Sequence, residues 1–315
     1  MFAKFSTKSL IIAFIILLGT VIGFIIRDSL NGDRNFPKSI ISIDTSKVTS
    51  IEFYPKITNH KAVKIFKRGN SWIVSLGNNR IASVPISKVQ EILSQILSIR
   101  PESVASTDIA EWKEFQVDTS GTLVNIYEGS NNTLSFVIGK FIYRQPQRMS
   151  SYIRVKGDKN VYITNGFLDL TFNHPVDYFR DNTIINDDYE NWNKLTFTYP
   201  ADSSFQLVRK DNLWFINGKP ADSVSTIKYL QSISNLSQYF YLDNLTSKQL
   251  DKAKYVLTIQ SSALGIINVF AYGDKNNLII NSSQNSSSYF DGNKENLWQK
   301  IFIGSKNLIA SHKKR

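Results

Sequence analysis

Polar and apolar residues alternate along two segments of the chain, and each segment predicts a β-hairpin. Residues 62–74 and 205–216 both alternate, pass through a short polar turn and then resume at a tryptophan, Trp72 and Trp214. Alternation with period two is typical of half-buried strands, and a polar turn between two such runs favours a hairpin. Because both segments carry a tryptophan on the return strand, we expect Trp72 and Trp214 to be core residues.

An amphipathic helix is predicted after each hairpin. The first begins at Pro85, and its apolar residues fall at helical spacing on one stripe, namely Val89, Ile92, Leu93, Ile96 and Leu97. The second follows Asp222, a candidate N-cap, and its apolar positions are Ile227, Leu230, Ile233 and Leu236. Each helix is therefore expected to bury one face against a sheet.

Further matching segments indicate an internal duplication. Hairpins are predicted at 122–139 and 255–273, strands at 152–155, 161–164, 278–280 and 288–290, short helices near 166–172 and 294–301, and a loop at 281–288. Antiparallel strands with a helix packed across them form an α+β unit. The predicted fold class is α+β, an N-terminal transmembrane helix followed by two tandem copies of an antiparallel-sheet-plus-helix unit.

Residues 9–26 contain no charged side chain and lie between Lys8 and Arg27. As a helix this run would rise about 27 Å, close to the thickness of a bilayer's hydrocarbon core. A cleaved signal peptide and a buried core helix are the alternatives, but Ile25, Ile26 and Arg27 stand where a cleavage site needs small residues. The basic leader favours a single-pass protein of the inner (cytoplasmic) membrane with most of the chain extracytoplasmic.

These patterns divide the chain into seven predicted segments: a cytoplasmic leader (1–8), a transmembrane anchor (9–26), a spacer (27–46), a first α+β repeat (47–173), a junction (174–192), a second α+β repeat (193–304) and a basic tail (305–315).

Composition and charge exclude several classes of protein. The 315 residues include no cysteine and three histidines, which excludes disulfides, thiolate metal sites and a cysteine nucleophile. The formal net charge is +11, of which Lys313, Lys314 and Arg315 contribute +3, and the rest is spread along the chain without a block of five or more like charges. A nucleic-acid partner is therefore not expected, since such proteins concentrate positive charge on one face or arm.

No motif for catalysis, cofactor binding or metal binding stands out. Ser225 and Lys228 have the spacing of a Ser-x-x-Lys pair, but both are expected on the solvent face of a helix. Asp187, Asp188 and Glu190 carry too few ligands for a calcium loop and are interpreted as a solvated acidic turn. We predict no enzyme, no cofactor and no metal site.

The most distinctive short string lies in the predicted junction and consists of Asp177, Tyr178, Phe179, Arg180 and Asp181. Two aspartates around an arginine favour an arginine–carboxylate contact that closes a turn. This string is the candidate site, either as an interaction surface or as a structural clasp between the two repeats.

The chain resembles the domain-of-unknown-function family 4340. The resemblance rests on residues 70–73 and 212–215 of the two hairpins, the helix at Pro85, the strands at 152–155 and 161–162, and the string 178–181. It covers most of residues 48–303 and implies no catalytic residue. Members of the family are often encoded beside ABC-type transporter components, including ones that resemble gliding-motility transport proteins, which implies an accessory envelope role.

Two function hypotheses follow. The first is a non-enzymatic accessory or scaffold protein that binds a protein partner such as a transporter subunit. The second is a module that binds a cell-envelope glycan or lipid in a groove between the two copies. An exposed apolar patch would favour the first hypothesis, and a concave aromatic cleft would favour the second.

Overall fold

The computed structural model describes residues 7–30, 36–145 and 148–309. Residues 1–6 of the predicted leader, 31–35 of the predicted spacer and 310–315 of the predicted tail lie outside the described residues.

The first element is helix α1 (Thr7–Leu30), whose side chains are exposed throughout 11–23. Across the described ranges, the structure contains no helix with the length and apolarity that crossing a membrane requires. The transmembrane helix predicted at 9–26, and the fold class that included it, are therefore wrong for the described part of the chain.

Two large antiparallel sheets make up most of the molecule. The first has nine strands in the order β4-β3-β2-β1-β6-β7-β8-β9-β5. Its strands are β1 (Val48–Tyr54), β2 (Val63–Arg68), β3 (Ser71–Gly77), β4 (Arg80–Val84), β5 (Pro101–Ser106), β6 (Thr122–Glu128), β7 (Asn131–Arg144), β8 (Arg148–Val155) and β9 (Val161–Asn165). Pro101 begins the edge strand β5, where a residue without an N–H group costs no ladder hydrogen bond.

The second large sheet has eight strands in the order β14-β13-β12-β11-β16-β17-β18-β19. Its strands are β11 (Trp192–Thr198), β12 (Phe205–Lys210), β13 (Leu213–Ile216), β14 (Lys219–Pro220), β16 (Tyr255–Ser261), β17 (Gly265–Tyr272), β18 (Ile279–Ser282) and β19 (Asn285–Asp291). A small third sheet pairs β10 (Thr183–Ile185) with β15 (Leu236–Ser237). Eight strands of the first sheet follow the same order as the eight of the second.

The remaining α-helices are α2 (Ile86–Ser98), α3 (Asp169–Phe172), α4 (Ser223–Ile233) and α5 (Leu297–Ile301). Helix α2 follows Pro85 and buries Val89, Ile92, Leu93 and Ile96, as predicted, whereas Leu97 is 38% exposed. The predicted N-cap of α4 is confirmed, since the Asp222 carboxylate accepts a hydrogen bond from the Ser225 N–H at 2.8 Å. Leu236 lies beyond α4, in β15, because the helix ends at Ile233.

Each large sheet has its own hydrophobic core. Trp72 belongs to the first core and Trp214 to the second, and both are nearly fully buried, so their predicted role is confirmed. The four predicted hairpins are confirmed by the pairing of β2 with β3, β6 with β7, β12 with β13 and β16 with β17. The loop predicted at 281–288 is wrong, because β18 and β19 form a hairpin there through buried serines and asparagines, namely Asn281, Ser282, Asn285 and Ser288.

Candidate functional site

The five predicted site residues lie where the chain crosses from the first large sheet to the second. Asp177 to Phe179 belong to a 3₁₀ turn (Val176–Phe179), and Arg180 and Asp181 lead from it towards β10. Beside them the edge strands β4 and β19 meet, with the hydroxyl oxygens of Ser83 and Ser287 at 3.2 Å. An open edge strand exposes unpaired backbone groups, so this contact covers one edge of each sheet.

The guanidinium of Arg180 is the buried centre of this crossing. Its two terminal nitrogens each donate at 2.9 Å to one carboxylate oxygen of Asp243, and Nη1 also donates to Asp177 at 3.1 Å. The Arg180 side chain is 1% exposed, against 33% for Asp243 and 51% for Asp177. A bidentate pair fixes the angle of the two groups as well as their distance. The third nitrogen, Nε, has no hydrogen-bond partner among the described residues.

An aromatic ring covers one face of the Arg180 guanidinium. The Cζ atom of Arg180 lies 3.7 Å from the centre of the Tyr241 ring, a cation–π contact, and the Tyr241 hydroxyl donates to the Asp181 carbonyl at 3.3 Å. Burial raises the pKa of the Tyr241 hydroxyl and outweighs the opposite effect of the arginine charge. The hydroxyl therefore stays protonated and keeps its role as a donor.

The backbone of Asp181 joins the two large sheets. Its N–H donates to the Ser83 carbonyl of β4 at 2.8 Å, and its carbonyl accepts from the buried Asn285 side chain of β19 at 2.7 Å. The Asp181 carboxylate accepts from the Thr183 N–H at 2.9 Å. Of the two aspartates in the string, Asp177 makes the arginine–carboxylate contact, and Asp181 closes a backbone turn instead.

The two aromatic residues of the string differ in burial. Phe179 is fully buried and stacks on Phe53 of β1, with ring centres 4.9 Å apart. Tyr178 is partly exposed and stacks on His174 at 3.6 Å, while the Lys88 ammonium lies 4.4 Å from its ring centre. We use the name inter-sheet clasp for residues 177–181 together with Tyr241, Asp243 and Asn285. Its most buried side chains, Phe179 and Arg180, contact other parts of the chain.

The other sequence candidates have structural contacts in the described chain. The Ser225 N–H takes part in the cap of α4, and Lys228 is exposed. Asp187 is buried and accepts hydrogen bonds from the Trp192 indole at 2.8 Å and from Asn191 at 3.0 Å, so its interpretation as a solvated acidic residue is wrong. Within the described ranges, no group of three or more histidines and carboxylates is placed to hold a metal ion.

Sequence patterns did not identify the exposed end of the β7–β8 hairpin. The pairing of β6 with β7 ends at Ile138, but β7 continues to Arg144 and pairs there with β8 alone. On one face of this extension, Phe141 is 51% exposed, Tyr143 56% and Met149 47%. We name these three side chains the hairpin patch. The continued alternation through 141–143 was the signal that could have revealed it.

The hairpin patch is supported by packing on the opposite face of the strand pair and by contact with a neighbouring aromatic ring. Ile142 points to the opposite face and packs on a small core that includes Val117 and Tyr152. Phe141 contacts the Phe167 ring, with centres 4.9 Å apart. Tyr143 lies directly across the strand pair from Met149, so the two apolar side chains are neighbours on one surface. Contacts within the first sheet therefore support all three side chains of the patch.

Comparison with known proteins gives one family match. The model of the family described as Domain of unknown function (DUF4340) matches residues 75–258, which include α2, the five predicted site residues and the hairpin patch. No curated protein and no solved structure gives a significant match.

Proposed function

Because the chain belongs to the DUF4340 family of unknown function, whose description assigns no activity, we propose a function from the molecule's own surface. The protein is a non-enzymatic accessory component that binds a protein partner through the hairpin patch. The observation that carries this proposal is the side-by-side exposure of Phe141, Tyr143 and Met149 where β7 and β8 extend beyond the end of β6.

The composition of the patch supports a protein partner. Large apolar side chains exposed together are costly in water and mark interaction sites on soluble surfaces. Aromatic residues and methionine are also enriched in the cores of protein interfaces, where they supply much of the binding energy.

The side chains of the inter-sheet clasp are already engaged in contacts within the chain. They join the two sheets through hydrogen bonds, a buried ion pair and a cation–π contact. The hairpin patch, whose three side chains stay exposed, is therefore the better surface for a partner. The family's association with ABC-type transporter components makes a subunit of such an assembly the partner that we propose.

Site-specific photocrosslinking tests the proposal. The full-length protein is produced in its native cells with benzoylphenylalanine in place of Tyr143, and with the same group in place of Tyr239 as the matched control. Tyr239 is 61% exposed and follows β15 in the second half of the chain, outside the residues of the hairpin patch. We expect one crosslinked species of defined mass from position 143 and none from position 239.

The mass and identity of that species decide the outcome. A crosslink to another protein supports the proposal, and recovery of transporter subunits supports the proposed partner class. A crosslink only to a second copy of this chain, the same products from both positions, or no product from position 143 in a correctly folded protein would each overturn it.

A further inference from the structure

A cleft of about 1040 Å³ opens at one end of the second large sheet. Its walls include three aromatic and three cationic side chains, Tyr199, Tyr255, Trp298, Lys252, Lys254 and Lys275. A smaller hollow of about 470 Å³ adjoins it and shares Lys252, Lys254 and Asp274 with it. We call the two together the groove, and all its lining residues belong to the second half of the chain.

The aromatic wall of this cleft is ordered by its own contacts. The Tyr255 ring lies between Tyr199 and Trp298, with ring centres at 5.5 Å and 5.2 Å and interplanar angles of 69° and 77°. The Tyr199 hydroxyl donates to the Ile303 carbonyl at 2.7 Å, which fixes that ring. Edge-to-face packing of this kind holds the Tyr255 ring in one orientation, while part of it stays exposed to the cleft.

The charges of the cleft favour an anionic ligand. Lys254 forms an ion pair with Asp274 across the cleft wall. Lys252 and Lys275 are exposed and have no ion-pair partner in the part of the chain that the structure describes. Two uncompensated ammonium groups at the rim of a concave surface attract anions.

The corresponding corner of the first large sheet is closed by the chain itself. Thr122 is the first residue of β6, and Tyr255 is the first residue of β16. The residue after Thr122 pairs with the last residue of β1, and the residue after Tyr255 pairs with the last residue of β11, so the two positions correspond. Thr122 is fully buried, and beside it the Lys56 ammonium pairs with Asp169 at 2.8 Å and donates to the Gly139 carbonyl at 3.2 Å. The first sheet therefore fills this corner with an internal ion pair. The second sheet leaves the corner open, with aromatic walls and with lysines that have no ion-pair partner among the described residues.

We propose that the cleft of the second sheet binds an acidic oligosaccharide. A sugar ring packs its apolar C–H face on the partly exposed Tyr255 ring, with the Trp298 ring at its side, and acidic substituents lie at Lys252 and Lys275. A lysine ammonium group is a compact charge that can donate hydrogen bonds to a carboxylate in many orientations. Such a group suits a flexible glycan. The groove exceeds the space that one sugar ring needs, and its wide opening suits a chain of rings better than an acyl tail, which needs an enclosed apolar cavity.

Isothermal titration calorimetry with the full-length protein tests this site. The probe is trigalacturonic acid, maltotriose is its neutral counterpart, and triglutamate is an acidic peptide without sugar rings. We expect saturable binding of trigalacturonic acid that weakens as salt is added, because the ammonium–carboxylate attraction is screened. Tyr255→Thr, which installs the residue of the first sheet, is expected to weaken binding about tenfold. The double variant Lys252→Gln/Lys275→Gln is expected to weaken it about fivefold or more.

Matched controls and the other probes make each outcome decisive. Tyr239→Thr and Lys219→Gln alter an exposed tyrosine and an exposed lysine outside the cleft and should leave binding unchanged. The double lysine variant keeps the test valid if Tyr255→Thr fails to fold. Equal binding of maltotriose would show that the lysines select nothing, equal binding of triglutamate would show a site for acidic peptides, and no binding of trigalacturonic acid would leave the site without its ligand. Each of these three results overturns the proposal.

Discussion

Arg180 and Asp243, which are 63 positions apart in the sequence, meet in a bidentate ion pair with both nitrogen–oxygen distances at 2.9 Å. Arg180 follows the first large sheet, and Asp243 lies in the segment between α4 and β16 of the second. The pair thus crosses from one half of the chain to the other. Because the guanidinium is buried and the carboxylate is only partly exposed, solvent screens this contact less than it screens a surface pair.

The clasp predicts that two aspartates bound to the same arginine contribute unequally to stability. Asp243→Asn should lower the free energy of unfolding by about 2–4 kcal/mol, because it removes the main counter-charge of a buried guanidinium. Asp177→Asn should lower it by less than about 1 kcal/mol, because that carboxylate is half exposed. Urea unfolding followed by tryptophan fluorescence measures both. Equal losses in the two variants would contradict the role of Arg180 as the buried centre.

Tyrosine burial predicts a loss of stability in alkali. Tyr229 is buried and donates to the Ile301 carbonyl at 2.7 Å, and burial, assisted by the proximity of Tyr199, raises its pKa well above the ordinary 10.0. A raised pKa in the folded state contributes stability that is complete below pH 10 and is lost as the pH rises further. The free energy of unfolding should therefore fall above pH 10 by about 1.4 kcal/mol per pH unit for each such tyrosine.

The variant Tyr229→Phe checks the assignment of that alkaline loss. It should cost about 1 kcal/mol at pH 7 through the lost hydrogen bond, and it should reduce the slope above pH 10 by about 1.4 kcal/mol per pH unit, the share of one tyrosine. Tyr239→Phe, which alters an exposed tyrosine, serves as the control and should leave the slope as it is. Urea unfolding at a series of pH values between 8 and about 11.5 gives the slopes. An unchanged slope in Tyr229→Phe would show that the tyrosine titrates in the folded protein as it does in the unfolded chain.

The close packing around Gly139 of β7, near the hairpin patch, predicts that a larger residue at this position destabilises the protein. A Cβ atom on Gly139 would lie 2.1 Å from the Phe115 carbonyl oxygen and 2.8 Å from Val117 Cγ1. Gly139→Ala should therefore destabilise the protein by about 1–3 kcal/mol, because backbone has to move to admit the methyl group. Gly304→Ala, which meets no atom within 4 Å, is the matched control for thermal unfolding. Equal midpoints for the two variants would refute the close approach.

Variants in the hairpin patch are expected to weaken partner binding without a matching loss of stability. Tyr143→Ser and Met149→Gln should change the free energy of unfolding by no more than about 0.5 kcal/mol, because both side chains are about half exposed. The same variants should reduce co-purification of the partner from native cells at least tenfold, as expected for residues at the centre of an interface. Urea unfolding and quantitative pull-down measure the two effects on the same preparations. Loss of stability in parallel with loss of partner would assign these side chains to the fold rather than to binding.

Local patterns in the sequence identified the elements that local physics controls. Period-two alternation located the hairpin strands, and helical spacing after Pro85 and after the Asp222 cap located α2 and α4. These signals are readable because each depends on residues a few positions apart in the chain. The same patterns supported the family resemblance, which the family match confirms. The prediction of a transmembrane helix at 9–26 rested on apolar content alone and was wrong, because the described part of the chain contains no helix with the length and apolarity needed to cross a membrane.

The surfaces that carry the proposed function depend on contacts between distant parts of the chain. The sequence made Arg180 conspicuous but gave no sign of Asp243 or Tyr241, since these partners come from the other half of the chain. Tertiary structure also decided that Tyr143 and Met149 are exposed, because β6 stops short of them. At a matching position, packing buries Thr122 and leaves Tyr255 at an open cleft. The sequence by itself thus determined the strands and helices, and the packing of one element on another determined which side chains remain free to bind.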